Sequence, residues 1–245
     1  MKKPQNTVDG RSNQSLVTKV ISMNQPLWKR LFSYFTEFHI ESAPSDINPH
    51  LYVSLSKDRY QLSTANAIYS YGDLYDNYNK TFQQLDLDSL NIETVLVLGF
   101  GLGSIPFMLE QKFKKNYHYT GIEIDENVIY LAEKYVLSNL KSPIELYCTD
   151  AFAYVMQTQE KFDLIAMDVF LDDIIPNSFE TQDFLEALKG LIEENGTLLY
   201  NRLSLTKQDL NATKVFFEND FIKTFPNGNY IDVGGNWMLM NKKIS

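Results

Sequence analysis

The stretch VLVLGFGLGSIP at residues 95–106 decides the fold, because a continuous apolar run leads directly into closely spaced glycines. Such a run is typical of a strand that is buried on both faces of a parallel sheet. Gly99, Gly101 and Gly103 allow the backbone to turn sharply and to approach a ligand closely. Pro106 fits the first turn of a helix, whose unpaired N–H groups would face the same ligand. We therefore predict a strand, a ligand-binding turn and a helix.

The spacing of these glycines separates two classes of nucleotide-binding turn. The order here is G-x-G-x-G, whereas dinucleotide-binding enzymes use G-x-G-x-x-G. A tight turn between a strand and a helix can also carry glycines without any ligand, so the turn alone leaves a structural role open. Glu123 ends the next predicted strand, at roughly the expected distance of about 20 residues. A carboxylate there can accept both ribose hydroxyls of a nucleoside, which favours the binding role.

Strand-like and helix-like segments alternate from residue 93 onward, which is typical of a parallel sheet built from βαβ units. The predicted strands are Thr94–Leu98, His118–Ile124, Ile144–Tyr147, Leu164–Asp168 and Thr197–Asn201. Residues 230–240 predict a C-terminal antiparallel hairpin around Gly234 and Gly235. We therefore predict an α/β fold with a doubly wound, mostly parallel Rossmann-like sheet.

A smaller appendage is predicted in front of this sheet. Residues 27–35 predict a short amphipathic helix, for which a membrane-surface role is the weaker alternative. Residues 51–63 alternate like the two strands of a β-hairpin. The chain is thus expected to divide into a flexible tail at 1–22, the helix and hairpin appendage at 23–89, and the nucleoside-binding Rossmann-like domain at 90–245.

Composition restricts the class of function. The formal net charge of -9 argues against a nucleic-acid partner and suits a cationic ligand, although solubility alone is a sufficient reason for it. Cys148 is the only cysteine, so no intrachain disulfide can form, and we expect it to be a small buried residue. No apolar run approaches the roughly 20 residues that span a bilayer, and the N-terminus lacks a signal-peptide pattern. We expect a cytoplasmic protein without a membrane partner.

Further acids follow the predicted strands at the same edge of the sheet. Asp150 either accepts a hydrogen bond from the exocyclic amine of adenine or caps the next helix, and its position alone leaves both roles open. Asp168 ends the fourth strand, at the lip of the crevice where such sheets bind ligands. Asp172 follows on a loop that we expect to cover this site. The histidines have no metal-ligand spacing, so no metal is expected.

Four motifs occur in one fixed order and point to a family: GFGLG at 99–103, GIEID at 121–125, TDAF at 149–152 and FDLIAMD at 162–168. This succession resembles the class I AdoMet-dependent methyltransferase fold and, within it, the spermidine synthase-like group. The resemblance covers about residues 59–240. It implies a transferase that uses S-adenosylmethionine, or its decarboxylated relative, as a co-substrate.

The resemblance also implies roles for individual residues. Asp168 would be catalytic and hold the attacking amine, which must lose a proton before it can attack. The residues implied to bind the donor nucleoside are Gln61, Gly99, Gly101, Gly103, Glu123, Asp150 and Ala151. The residues implied to bind the acceptor are Tyr69, with Tyr71 as the fallback for this tyrosine, and Asp172.

Two departures from the group affect the predicted reaction. Aminopropyltransferases carry an Asp in the glycine turn where this chain has Leu102, and a second Asp where it has Leu171. The missing charge at Leu102 removes an anion that would repel the methionine carboxylate of AdoMet. We therefore rank methyl transfer slightly ahead of aminopropyl transfer from decarboxylated AdoMet. A non-catalytic nucleoside-binding module is the third alternative.

The expected partners follow from the same evidence. We expect a small acceptor, most naturally an amine, because Asp168 can pair with a cation. We also expect a homodimer that forms through the N-terminal hairpin, since two strands alone are marginally stable in water and need a partner surface.

Overall fold

The computed structural model describes residues 25–48, 50–64, 67–171 and 174–243. Within these ranges the chain forms a four-stranded antiparallel sheet followed by a seven-stranded, mostly parallel sheet. The predicted tail at 1–22 and the candidate residue Asp172 lie outside the described residues.

The N-terminal part contains the predicted helix and hairpin together with two further strands. Its elements are α1 Leu27–Phe32, β1 Phe38–Ser42, β2 Tyr52–Ser56, β3 Arg59–Ser63 and β4 Ile68–Ser70, and the sheet order is β1-β2-β3-β4. Lys57 and Asp58 form the two-residue turn between β2 and β3, both with positive φ, as type I′ hairpins require. The flanking strands escaped prediction because β1 lacks a regular alternation and β4 has only three residues.

This N-terminal sheet shares one apolar core with the larger sheet. Leu51, Val53 and Leu62 belong to the same buried cluster as Val95 and Val97 of the first parallel strand. The hairpin therefore already has strand neighbours and an apolar surface within its own chain, which removes the physical reason that we gave for a dimer. A domain boundary near residue 90 stays a proposal, since apolar side chains from both sides of it share one core.

The larger sheet has the predicted topology. Its strands are β5 Thr94–Leu98, β6 His118–Glu123, β7 Ile144–Cys148, β8 Phe162–Met167, β9 Ile192–Leu203, β10 Asn229–Asp232 and β11 Asn236–Met240. Their order is β10-β11-β9-β8-β5-β6-β7, in which β5 to β9 pair in parallel and the C-terminal hairpin pairs antiparallel. The predicted doubly wound fold is thus confirmed, and the strand order reverses at β5, where such sheets bind ligands.

Helices cover both faces of this sheet. They are α2 Asp76–Gln84, α3 Ser104–Gln111, α4 Glu126–Tyr135, α5 Ala151–Gln157, α6 Gln182–Gly190, α7 Lys207–Phe216 and α8 Ile222–Thr224, with a π-helical turn at Phe217–Phe221 and 3₁₀ turns at Gly72–Leu74, Leu137–Asn139 and Asn177–Glu180. Alternate residues of β5 enter opposite clusters: Val95 and Val97 lie in one, and Leu96 and Leu98 in the other. A strand buried on both faces explains the unbroken apolar run in the sequence.

Two surface features complete the description. Cys148 is exposed, contrary to our prediction, because β7 is the edge strand of the sheet. Helix α1 and the turn after it expose several large apolar side chains, including Trp28 and Phe35.

Among the described residues, no helix is both long and apolar enough to cross a membrane, and no cluster of His, Cys, Asp and Glu side chains could hold a metal ion.

Candidate active site

A cleft of about 1170 Å³ opens at the carboxyl ends of the parallel strands. Gly99 follows β5, Glu123 ends β6, Asp150 follows β7 and Asp168 follows β8, and all four line the cleft. The carboxyl ends of parallel strands lie at one edge of a sheet, which is why residues so far apart in the sequence meet here. The cleft is large enough for a nucleoside together with a second small molecule, since single-ligand pockets are typically about 300–1,000 Å³.

Asp168 is the most perturbed acid of the cleft. Its Oδ1 accepts a hydrogen bond of 2.7 Å from Nδ2 of Asn201, whose own Oδ1 accepts one of 2.9 Å from Nδ2 of Asn236. Burial raises the pKa of Asp168 to about 6, although hydrogen bonds from Asn201 and Tyr75 oppose the rise. A carboxyl with a raised pKa in a cleft is a good candidate for proton transfer near neutral pH.

Tyr75 is a site residue that sequence reasoning missed. Its buried hydroxyl hydrogen-bonds to the Asp168 carboxylate and contacts Asn77, and burial raises the pKa of Tyr75 well above its usual value. The hydroxyl of Tyr78, one helical turn on, donates to the backbone carbonyl of Met167 at 3.1 Å. The start of α2 is thereby tied to the end of β8. Tyr75 directly precedes α2, and no local sequence pattern pointed to its contact with Asp168.

Glu123 organises the glycine turn. Its Oε2 accepts the backbone N–H of Gly101 at 3.0 Å, and its Oε1 accepts those of Ile124 at 3.0 Å and Asp125 at 3.2 Å. Burial raises the pKa of Glu123, while these N–H groups oppose the rise. A carboxylate offers roughly four acceptor positions, so three backbone bonds leave capacity for a ligand hydroxyl. Asp125 caps α4 by accepting the N–H of Asn127.

The fold requires a glycine at position 99, whether or not a ligand is bound. Its φ is +81°, and a Cβ at this position would lie 2.4 Å from the backbone oxygen of Asp168. No side chain fits between the glycine turn and the end of β8. This close approach places the turn directly beside the candidate catalytic carboxylate.

Asp150 has the capping role that its position left open, and its role towards adenine stays a prediction. Its Oδ1 accepts the backbone N–H of Phe152 at 2.8 Å, so it caps α5. It is exposed and lines the cleft together with Ala151, on the side of Glu123 away from Asp168 in the strand order. A helix cap at this edge can still present its second oxygen to a ligand.

The remaining candidates divide between the cleft and its surroundings. Tyr69, Tyr71 and Gly101 line the cleft, and the hydroxyl of Tyr71 also donates to Ser56 at 2.8 Å. Gln61 is buried, and its amide nitrogen donates to Ser63 at 3.0 Å instead of lining the cleft.

Gly103 lies away from the cleft as well. It lines a smaller cavity of about 200 Å³ behind the glycine turn. Ser104 next to it accepts the N–H of Tyr71 at 2.8 Å. The turn therefore presents Gly99 and Gly101 to the cleft, whereas Leu102 and Gly103 line the smaller cavity.

Leu102 also faces away from the cleft. It is 1% exposed, belongs to the core cluster and lines the smaller cavity together with Phe107 and Tyr135. Our argument for methyl transfer required the side chain at position 102 to lie near the tail of the donor. The observed orientation removes that argument.

The cleft is strongly acidic. Its described lining contains five carboxylates, from Asp76, Glu123, Asp150, Asp168 and Asp209, and one basic group, from Lys80. Lys80 is paired with Asp76 at 3.2 Å, one helical turn earlier in α2. The described part of the lining therefore favours cationic ligands over anionic ones.

Comparison with known proteins identifies relatives of this chain. The spermine/spermidine synthase domain model matches residues 78–225. A polyamine aminopropyltransferase of Vibrio vulnificus is 30% identical over 118 residues, which are 47% of this chain and 39% of that protein. The chain therefore matches only about two fifths of the length of this curated relative.

Solved structures share the fold of this chain. A probable spermidine synthase from Corynebacterium glutamicum has a TM-score of 0.65 at 17% identity, covering 82% of this chain and 78% of that one. Spermidine synthase from Thermotoga maritima has a TM-score of 0.62 at 18% identity, covering 85% and 74%. At these identities the likeness establishes the fold.

Proposed function

The chain belongs to the spermine/spermidine synthase domain family, and from this membership we propose that it transfers the aminopropyl group of decarboxylated AdoMet to the nitrogen of a small amine. Methyl transfer from AdoMet, which we ranked first from the sequence, is not supported by the comparisons. Curated relatives of this chain are named for aminopropyl transfer, and the reaction ranked second is therefore the better supported one.

The observation that carries the proposal is the charge of the cleft. Decarboxylated AdoMet has a sulfonium and an ammonium group, whereas AdoMet also has a carboxylate that needs a counter-charge. Lys80 is the single basic group in the described lining, and it is already paired with Asp76. The backbone N–H of Gly101, which could otherwise meet an anion, is bonded to Glu123. An acidic site of this kind disfavours a carboxylate by like-charge repulsion.

The residues of the cleft fit the adenosyl part of such a donor. Glu123 would accept a ribose hydroxyl, and Asp150 with Ala151 would meet the adenine, because these residues follow neighbouring strands on one side of the glycine turn. The sulfonium would then lie towards Asp168, beside Gly99. Gln61 and Asp172 stay proposals as donor and acceptor ligands.

Asp168 would receive the acceptor amine. In the reaction, the amine lone pair attacks the propyl carbon bonded to sulfur, the C–S bond breaks, and its electron pair stays on sulfur as the neutral thioether methylthioadenosine. The nitrogen must lose one proton, and Asp168 or a water molecule beside it would take it. Tyr75 and Asn201 would keep the carboxylate oriented.

The raised pKa of Asp168 bears directly on this step. An alkylammonium ion has a pKa near ~10.4 and an ordinary carboxyl one near ~4, a gap of more than six units. With a pKa of about 6 for Asp168, the gap falls to roughly four units. At about 1.36 kcal/mol per unit, burial makes proton transfer easier by at most ~3 kcal/mol, and water in the open cleft reduces this gain. The same carboxylate attracts the cationic amine before the transfer.

The test is a comparison of donors with one panel of amines. The purified chain is incubated with decarboxylated AdoMet or AdoMet together with linear mono-, di- and triamines, and the nucleoside products are separated by chromatography. With decarboxylated AdoMet as donor, we expect methylthioadenosine to form, and we expect its formation to require an amine. Formation of S-adenosylhomocysteine from AdoMet without aminopropyl transfer would contradict the proposal. A cytoplasmic location remains part of the proposal and rests on the sequence alone. A homodimer remains part of it as well, and it now rests on the exposed apolar side chains of α1 and the turn after it.

A further inference from the structure

Two asparagines connect the C-terminal hairpin to the candidate catalytic carboxylate. Asp168 follows β8, Asn201 lies in β9 and Asn236 begins β11, and these three strands are neighbours in the sheet. Asn201 pairs with Met238, so Asn236, two residues away on the same face of β11, is its diagonal neighbour. Asp168 and both asparagines line the cleft. We call Asn201 and Asn236 the amide pair.

The hydrogen bonds of the amide pair all run towards Asp168. Nδ2 of Asn236 donates to Oδ1 of Asn201 at 2.9 Å, and Nδ2 of Asn201 donates to Oδ1 of Asp168 at 2.7 Å. An amide has one donating and one accepting end, so the donor at Asn236 occupies the oxygen of Asn201 and leaves its nitrogen to the carboxylate. In the reverse orientation, the oxygen of Asn201 would face the carboxylate of Asp168. Two acceptors that face each other form no hydrogen bond.

Burial makes the orientation of Asn201 important. Asn201 is 1% exposed, so water cannot readily replace a lost partner of its side chain. Hydrogen bonds in a chain also polarise and strengthen one another at low dielectric. Among the hydrogen bonds of the described residues, Asn236 makes none to Asp168 itself, so its effect on the carboxylate passes through Asn201.

From this arrangement we propose that Asn236 is a positioning residue, which acts through Asn201 to orient the Asp168 carboxylate. The inference rests on the proposed transfer to an amine and adds a residue to its machinery. Without a donor at position 236, the side chain of Asn201 is free to rotate away from Asp168. The hydrogen bond from Asn201 lowers the pKa of Asp168, so its loss should raise that pKa.

The other groups around Asp168 leave this effect measurable. In the described part of the chain, the titratable groups that face Asp168 are Tyr75 and Tyr78, at the start of α2. Burial raises the pKa of both hydroxyls well above its usual value, so both stay neutral at pH ~8 and below. Asp172 and Asp173 lie outside the described residues and are the same in every variant that is compared.

The test measures the pKa of Asp168 in the ligand-free chain, so it does not depend on turnover. The carboxyl carbons of aspartate are isotope-labelled for NMR, and the resonance of Asp168 is identified by its absence in Asp168→Asn. Losing a whole hydrogen bond to a charged group raises a carboxyl pKa by about 1–2 units, which sets the upper limit. We expect Asn236→Leu to raise the pKa of Asp168 by about 0.5–1 unit, and Asn236→Gln, which keeps a donor, to raise it less.

A double variant separates an effect through Asn201 from a direct one. Asn201→Leu should raise the pKa of Asp168 by more than Asn236→Leu does, because it removes the donor itself. Adding Asn236→Leu to Asn201→Leu should then cause no further rise, since the residue that connects position 236 to the carboxylate is already gone.

Asn241 provides the matched control at the other end of β11. Its Oδ1 accepts the backbone N–H of Leu198 at 3.0 Å, and its Nδ2 donates to the carbonyl of Gly196 at 3.1 Å. Asn241→Leu should therefore lower Tm, as the loss of a structural asparagine does, while the pKa of Asp168 stays unchanged.

The outcomes separate the inference from the proposed function. An unchanged pKa in Asn236→Leu, or a further rise when it is added to Asn201→Leu, overturns the positioning role; Asn236→Ala is measured in the same way, so that one folded variant suffices. With decarboxylated AdoMet and an amine, Asn236→Leu should also move the acidic limb of the pH–rate profile to higher pH. Methylthioadenosine should bind as before, because β11 lies on the far side of β8 from β6 and β7. If no amine reacts with the parent chain, the proposed function fails, and the pKa comparison still decides whether Asn236 acts on Asp168.

Discussion

Replacing Asp168 by asparagine should make the ligand-free protein more stable while it removes the candidate proton acceptor. The amide oxygen can still accept the hydrogen bond from Asn201, and the amide nitrogen can donate to the hydroxyl of Tyr75. What disappears is the cost of holding a charged carboxylate in a partly buried position. Sites built for function often lower the stability of a protein in this way.

The size of the effect follows from the pKa. Burial raises the pKa of Asp168 from 3.8 to about 6, which is about two units, or ~3 kcal/mol at 1.36 kcal/mol per unit. Water in the open cleft screens part of this cost, so we expect Asp168→Asn to add about 1–3 kcal/mol to the free energy of unfolding at pH 7. For a chain of this size, each kcal/mol raises Tm by about 2–4 °C.

The pH dependence has a definite sign. Because the pKa in the folded state lies above that in the unfolded state, the cost is absent below pH ~4, grows through pH 6 and is complete above it. The stability gained by Asp168→Asn should therefore shrink as the pH falls from 7 to 4. Thermal unfolding of both proteins, followed by circular dichroism across this range, measures it.

Asp163 provides the matched control at the opposite end of β8. Its Oδ2 accepts the backbone N–H groups of Glu93 and Thr94, each at 2.9 Å, and these bonds, against burial, hold the pKa of Asp163 below its usual value. Asp163→Asn should lower Tm at pH 7. A Tm for Asp168→Asn that is equal to or below that of the parent at pH 7, or a gain that does not shrink on acidification, would refute the reasoning.

Three further predictions test other parts of the molecule. Glu123→Gln should weaken methylthioadenosine binding by about 10-fold, since it weakens charged hydrogen bonds to the ribose; unchanged affinity in calorimetry would exclude Glu123 from the site. Tyr75→Phe removes a hydrogen bond that lowers the pKa of Asp168, so the acidic limb of the pH–rate profile should move to higher pH, and an unmoved limb would contradict the contact. Trp28→Glu should reduce self-association, because it places a charge on the exposed apolar face of the N-terminal region. Light scattering measures this, and a parent protein that is monomeric at micromolar concentration would refute the dimer.

The sequence was informative wherever one local pattern determined the structure. The apolar run of β5 and its glycines predicted a buried strand and a turn, and strand ends predicted that Glu123, Asp150 and Asp168 would meet at one edge. Asn201 follows the same rule, because it ends a predicted strand, and it could have been found by applying that rule to every strand. Tyr75 could not have been found in this way, because its contact with Asp168 depends on how α2 packs against the sheet.

Leu102 illustrates why a matching position does not by itself assign a role. The sequence places it within the glycine turn, but whether its side chain faces the cleft depends on how the turn is folded. Here positive φ at Gly101 and Gly103 turns the intervening side chain into the core, where leucine is stable and an acid would be buried at high cost. The missing acid at this position therefore says nothing against a cationic donor. The carboxylates that do line the cleft support the proposal of a donor without a carboxylate of its own.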